Sequence, residues 1–445
     1  MSNQQIAVLG LGETGLSCVN FLLKQGDQVT VFDTRQNPPG EDKLDGSVKL
    51  FKGELSFELL AKFDLIIASP GIALATPALQ FALAKGCEII GDIELFAREL
   101  SKPAYRHAKL VTISGSNGKS TVTSLLGEMA VAAKVKVAVG GNIGIPALDL
   151  LDPEIDLYIL ELSSFQLETT FSLNADIATI LNISEDHMDR YDSYAQYTAA
   201  KHRLYKQCKM ALYNRDDKLT HPKDHLINKT SFGFDKCAYG LLTAADKQIF
   251  LAKNGSPILA VKNLTLSGKH NWMNALAALA LGEAVGLSET DMLTTLQEYS
   301  GLPHRCEFVA EINHVRWIND SKATNIGAAQ AALEGLSETI AGKVHVILGG
   351  DGKGADFSEL APVLKEIQGM IFCFGVDGPE IAAQNKRALL VETLDQAVDK
   401  IFTTAQAGDL VILSPACASL DMYKNFMQRG EHFKRLVRAL PASRN

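Results

Sequence analysis

The residues best placed to do chemistry are Gly115-Ser116-Asn117-Gly118-Lys119-Ser120-Thr121. They lie between an apolar, β-prone run (Lys109 to Ile113) and a helix-like run (Thr121 to Ala133). Glycines at a strand-to-helix turn let backbone N–H groups converge on an anion. The helix N-terminus adds about half a positive charge, and a lysine there reaches the outer phosphates of a nucleotide. Ser120 is then placed to face a magnesium ion. The match to a phosphate loop is partial, because Ile113 occupies the position five residues before Gly118-Lys119 where glycine is usual.

A carboxylate and an imidazole follow at comparable places. The run Leu157 to Leu160 ends at Glu161, and Ile177 to Leu181 ends at Asn182 and then Glu185-Asp186-His187. A carboxylate at the exit of a buried strand is costly without a cation. In a parallel sheet these strand ends share one edge with the phosphate loop, so Glu161 and His187 are expected to converge there as metal ligands. Lys201, on a helix expected from Tyr194 to Tyr205, gains no role from position alone.

Two further clusters repeat the pattern. Near the N-terminus, a strand at Ile6 to Leu9 runs into Gly10-Leu11-Gly12-Glu13-Thr14-Gly15, and the next strand ends at Asp33. This is a dinucleotide-type turn whose glycines and helix dipole recognise a diphosphate. An NAD-linked oxidoreductase and another diphosphate ligand both fit it, with Thr34 and Arg35 in reach of a base or ribose. Near the C-terminus, Lys322, Lys353 and Ser419 each follow an expected strand, enough cationic and hydroxyl groups to hold a small carboxylate-bearing substrate. Asn271 and Asn274 open an Ala/Leu-rich helix from which they can contact a purine edge.

The elements that must position these groups alternate strand and helix, which implies parallel α/β sheets. With 445 residues, 47% of them hydrophobic and 21% charged, the chain is expected to form two to four domains. Boundaries are expected at Glu99 to His107 and at Gly301 to Arg305, and Met210 to Gly268 reads as a β-rich insertion. A net charge of −8 argues against a general grip on nucleic acid. The 7 cysteines are scattered, with no C-x-x-C spacing, so neither a disulfide framework nor a cysteine zinc site is expected. No secretory leader or membrane span is legible, and a cytoplasmic protein that does not enter membranes is the expectation.

Taken in order, G-S-N-G-K-S-T, E-L-S-S-F-Q-L, E-D-H-M-D-R, G-L-P-H-R, N-D-S-K-A-T-N, L-G-G-D-G-K and S-P-A-C-A-S-L-D resemble the muramyl ligases of bacterial cell-wall synthesis. The G-L-G-E-T-G turn, the D-T-R after the second strand and the F-M-Q-R-G block are most similar to the D-glutamate-adding branch. The resemblance implies three domains: a Rossmann-like one over 1–97 for a UDP-substrate, a central P-loop ATPase-type one over 98–301, and a Rossmann-like one over 302–445 for the amino acid. It implies a monomer that uses ATP and two Mg²⁺ to join UDP-N-acetylmuramoyl-L-alanine to D-glutamate through an acyl phosphate, and it replaces NAD with UDP at the first turn.

The resemblance also implies roles residue by residue. Gly115 to Thr121, Asn271, Asn274, His304, Arg305, Asp320 and Lys322 would serve ATP. Ser120, Glu161, His187 and a carbamylated Lys201 would serve the metals, with Lys119 completing the catalytic set. Gly12, Glu13, Thr14, Thr34, Arg35, Ser69, Gly71 and Asn142 would take the UDP-substrate. Thr324, Lys353, Ser419 and Phe426 would take D-glutamate.

Overall fold

The computed structural model describes residues 4–188, 190–223, 228–266, 268–337 and 342–441. Three sheets follow one another along the chain. The first is parallel throughout, in the spatial order Lys49–Lys52, Val29–Asp33, Ile6–Leu9, Leu65–Ala68, Glu88–Ile90. Its middle strand, Ile6–Leu9, is buried at every position and so reads as an unbroken apolar run. Chain order reverses at that strand, and the crevice beyond such a reversal is where open α/β sheets bind ligands. The edge strand Lys49–Lys52 carries two lysines and is mostly exposed, which hid it from a search for apolar runs.

In the central sheet, Lys109–Ser114 lies between Ile177–Ile180 and Leu157–Glu161, all parallel. Register places Ile113 opposite Glu161 and Ser114 opposite Ile180. The phosphate loop therefore has Glu161 on one flank and Asn182 on the other. The segment expected as an insertion is instead a continuation of this sheet: Ala211–Asn214 pairs in parallel with the Ile177–Ile180 strand, and Lys229–Phe232 then extends the same sheet. Antiparallel strands Tyr239–Thr243, Ile249–Lys253 and Ser256–Ala260 finish it. Short strands with polar interruptions gave no sign that they would join a sheet begun a hundred residues earlier.

The third sheet runs Glu307–Ile312, Val315–Asn319, Leu410–Leu413, Val344–Gly349, Ile371–Phe374, Ala388–Leu390; only the first pairing is antiparallel. Trp317 and Phe433 are fully buried, and their rings meet at 6.2 Å where the last helix, Phe426–Ala439, covers the sheet. The helix Asp92–Leu100 joins the first two sheets and runs through position 97. The helix expected from Tyr194 to Tyr205 ends at His202 and tightens into a 3₁₀ turn over Arg203–Gln207. Among the described residues no helix is long and apolar enough to cross a membrane.

Candidate active site

The phosphate loop is shaped by two glycines whose backbones side chains rarely adopt. Gly118 has φ +81°, and a Cβ there would sit 2.5 Å from Asn274 Oδ1; Gly115 has φ +145° and abuts Leu181. The helix Lys119–Ala132 starts directly behind them, so its free N–H groups point into the loop. Lys119 Nζ donates to the carbonyls of Gly115 and Ser116 at 2.9 Å each. Burial pushes its pKa below the ordinary lysine value, with Glu161 and Asp186 opposing that shift.

Glu161 is 2% exposed. Its Oε1 accepts from Asn142 Nδ2 at 2.7 Å, while its buried Oε2 has no hydrogen-bond partner. An unpartnered carboxylate oxygen beside a phosphate loop is suited to a cation. Lys201 is also 2% exposed; its Nζ donates to Gly115 O at 2.8 Å and lies 4.6 Å from the Tyr197 ring centroid. Burial, reinforced by Lys119, drives its pKa well below the ordinary value. His187 takes φ +58°, and its ring meets Phe165 at 4.8 Å.

The third domain closes over this edge. Lys353 Nζ contacts Asp186 Oδ1 at 2.5 Å, and Asn325 Nδ2 donates to Asn117 Oδ1 and Asp186 Oδ2 at 3.2 Å each. Arg305 Nη2 donates to Ser120 Oγ at 2.7 Å, so the hydroxyl expected on a metal here faces a guanidinium. Burial would raise the Asp186 pKa, but Lys353 and His187 together hold it below the ordinary value. Asp186 and Asn325 lie inside motifs that sequence reasoning singled out, yet nothing in their spacing marked them as cross-domain partners.

A cavity of about 370 Å³ lies between the central and third domains, lined by Asn117, Gly118, Thr121, Asn271, Asn274, Arg305, Asp320 and Lys322. Burial raises the Asp320 pKa to about 6 although Ser414 and the Cys306 N–H donate to it. Burial, with Arg305 and Lys119 nearby, lowers Lys322 to about 8; its Nζ stands 4.0 Å over the Phe426 ring. Phe232 and Phe234 also line the cavity, a contribution from the β-rich strands that sequence did not disclose.

Two expected nucleotide contacts lie elsewhere. His304 is 7% exposed and bonds through Nδ1 to Asn319 Nδ2 at 2.9 Å, under Gly430 of the last helix, rather than lining the cavity. The Ser116 hydroxyl turns to Ser184 O and Tyr197, each at 2.9 Å, and its backbone N–H donates to Asn182 O at 2.9 Å.

A second cavity, about 550 Å³, is lined by Gly12, Glu13, Thr14, Thr34, Arg35, Ser69, Gly71 and Asn142, the eight residues expected on the sugar-nucleotide side. Asp33 is committed to its own loop: it accepts from Leu11 N at 2.7 Å and takes a two-point contact from Arg35, which lowers its pKa to about 2. Gln166 lines this cavity too. Its amide is held by a capping box with Ser163 and by Asp92 Oδ2 at 3.1 Å; the Ser-x-x-Gln spacing signals the helix start but not the cavity.

The amino-acid side is assembled from neighbouring loops. Asp351 and Ala418 exchange backbone hydrogen bonds, which joins the loop bearing Lys353 to the loop bearing Ser419. Thr324 precedes Asn325, and Phe426 O accepts from Ser321 Oγ at 2.8 Å. Arg429, fully buried, ties these loops together by donating to the carbonyls of Ser321, Gly349, Cys417 and Ala418 and to Ser321 Oγ.

Three family models match successive segments: Mur ligase MurD-like, N-terminal domain, over 4–91; Mur ligase middle domain over 113–282; and Mur ligase, glutamate ligase domain, over 304–417. A UDP-N-acetylmuramoylalanine–D-glutamate ligase of Escherichia coli is 53% identical, covering 98% of both chains. The enzyme of that name from Aliivibrio fischeri is 51% identical over 98% of this chain and 97% of its own. The chain belongs to the Mur ligase family. A solved UDP-N-acetylmuramate–alanine ligase from Thermotoga maritima superimposes on this Mur ligase with TM-score 0.63 at 19% identity, covering 98% of this chain and 100% of its own; it shares the fold.

Among the described residues of this Mur ligase, no group of three or more His, Cys, Asp and Glu is arranged to hold a metal. Magnesium is commonly held by one or two protein carboxylates with phosphate and water completing its shell. The orphaned Glu161 Oε2 beside the phosphate loop fits that mode.

Proposed function

We propose that this Mur ligase joins D-glutamate to UDP-N-acetylmuramoyl-L-alanine at the expense of ATP, as a cytoplasmic monomer. The observation that carries the reading is one sheet edge where a phosphate loop, the unpartnered oxygen of Glu161 and the cations of a closing third domain converge. Relatives named for that reaction match along the whole chain.

In this reading the first domain, 1–97, holds the UDP-substrate in the larger cavity. The central domain, 98–301, holds ATP against Lys119, with Asn271 and Asn274 on its base side, and the third, 302–445, presents D-glutamate from Thr324, Lys353, Ser419 and Phe426. The alanine carboxylate oxygen forms a bond to the γ-phosphorus as the bond to the β–γ bridging oxygen breaks, and ADP leaves. The amine nitrogen of D-glutamate then bonds to the acyl carbon, phosphate departs with the bonding electrons of the C–O bond, and the nitrogen gives up its proton. Two unit negative charges ~4 Å apart repel by about 4 kcal/mol at an effective dielectric of 20. Lys119, Arg305 and Lys322 offset that repulsion from three directions.

Two magnesium ions, held by Ser120, Glu161, His187 and a carbamylated Lys201, would supply further charge neutralisation. Ser120 Oγ, which accepts from Arg305 Nη2 at 2.7 Å, would offer its remaining lone pair to one of them. The test is phosphate release measured across candidate amino acids with UDP-N-acetylmuramoyl-L-alanine present. Release that requires D-glutamate supports the reading, and release indifferent to the amino acid or to the UDP-substrate overturns it.

A further inference from the structure

Arg190 lies three residues beyond His187, and its backbone N–H donates to the His187 carbonyl at 3.0 Å. Its side chain bridges the central domain and the first. Nη1 donates to Pro70 O at 2.8 Å, while Nη2 reaches Ile72 O at 3.5 Å and Glu168 Oε2 at 3.3 Å. The guanidinium carbon sits 4.1 Å from the Phe165 ring centroid, and that same ring meets the His187 imidazole at 4.8 Å with planes 62° apart. Only 13% of the arginine side chain is exposed.

Pro70, Gly71 and Ile72 line the sugar-nucleotide cavity. The other flank of their loop is fixed from within the first domain, where Ser69 Oγ donates to Gly10 O at 3.1 Å. Arg190 therefore joins this substrate loop to the segment bearing His187. An arginine suits the task because its planar fork can serve two carbonyls and a carboxylate while its face rests on a ring; a lysine offers one compact charge and no such plane.

We infer that Arg190 is a positioning residue for the ligation: it ties the loop Pro70–Ile72 to His187 through the shared Phe165 ring, holding the reacting end of the UDP-substrate in register with the phosphate loop. The inference rests on the proposed reaction, and its test separates the two. Titration calorimetry with UDP-N-acetylmuramoyl-L-alanine, without ATP or magnesium, is run on the parent, R190Q and R190K. R190Q is expected to bind about tenfold more weakly, the equivalent of ~1.4 kcal/mol, and R190K to fall between, with ATP binding and melting temperature unchanged in both. F165L keeps the hydrogen bonds of Arg190 but removes the ring it shares with His187; kcat is expected to fall about tenfold with UDP-substrate affinity retained, the pattern of an interaction made in the transition state.

Parental UDP-substrate affinity in R190Q would overturn the inference, as would equal loss of both ligands with a lowered melting temperature in both arginine variants. Parental kcat in F165L would overturn the link to His187. A parent protein that binds no UDP-substrate would instead overturn the proposed reaction itself.

Discussion

At the scale of single residues, the site is governed by what burial does to its cations. Lys201 has no carboxylate partner among the contacts described, only a carbonyl and a ring, and its ammonium is disfavoured by burial and by Lys119. A carbamate formed on the neutral amine would convert that electrostatic liability into an anion facing the metals. Lys201→Ala is therefore expected to lose nearly all activity and to regain part of it with small carboxylic acids; absence of rescue counts against the carbamate. The sign of the linkage gives a second readout. Because the folded pKa lies below the ordinary one, the unfolded chain binds more protons across that window, and stability rises with pH through it. In bicarbonate-free buffer at pH 7, Lys201→Met should melt higher than the parent. That advantage should shrink as pH climbs toward the ordinary lysine value.

Lys322 makes a different prediction, because its charge is needed rather than tolerated. Burial and two neighbouring cations bring it to about 8, so the free enzyme loses this anion-binding charge above that pH. The kcat/KM for ATP should decline above pH about 8, approaching tenfold per unit as one group titrates. Lys322→Arg retains its charge throughout that range and should flatten the alkaline limb even at a lower absolute rate. A limb left unchanged in this variant would assign the titration to another group.

At the scale of elements, what sequence discloses is the strand end and what it conceals is the neighbour. The turn at Gly115 to Ser120 was legible because a strand-to-helix transition with glycines has one economical use. Glu161 was legible because a carboxylate ending an apolar run demands a reason. Register supplied what spacing could not: Glu161 lies across from Ile113, and Asn182 shares its amide with Asn117 from the opposite flank. The strands after Met210 looked like an appendage because only pairing, not composition, reveals that Ala211–Asn214 continues the central sheet. His304 lies off the cavity for a related reason, since the G-L-P-H-R motif does not say which side of the turn faces it. Gly118 tests the loop as an element. Its φ of +81° and the 2.5 Å approach to Asn274 Oδ1 leave no room for a side chain. Gly118→Ala should destabilise the protein by about 1–3 kcal/mol and raise the KM for ATP, while Gly26→Ala, at φ +85° but with open space around it, should carry the backbone cost and leave that KM alone.

At the scale of the whole molecule, the third domain rests on the central one through few, polar contacts. Among the described residues they include the ion pair of Lys353 with Asp186, the Asn325 bridge to Asn117 and Asp186, and the Arg305 bond to Ser120, with Gly335 beside the His270 ring. The nucleotide cavity is walled by both domains, with Asn271 and Asn274 on one side and Lys322 and Ala323 on the other, so a bound nucleotide touches both. The Lys353–Asp186 pair is mostly buried, its side chains 17% and 12% exposed, and the cost of desolvating two charges offsets much of their attraction, so it adds little net hold on the domains. The ligand-free protein is therefore expected to populate an open arrangement, and an ATP analogue with UDP-substrate to draw it closed, because phosphates then bridge Lys119 to Arg305 and Lys322. X-ray scattering should report a smaller radius of gyration with both ligands than with neither. Lys353→Ala should widen the ligand-free ensemble further by removing one of the few cross-domain ties. Superimposable profiles with and without ligands would show a molecule that does not close, and the positioning of D-glutamate would then have to be explained without domain movement.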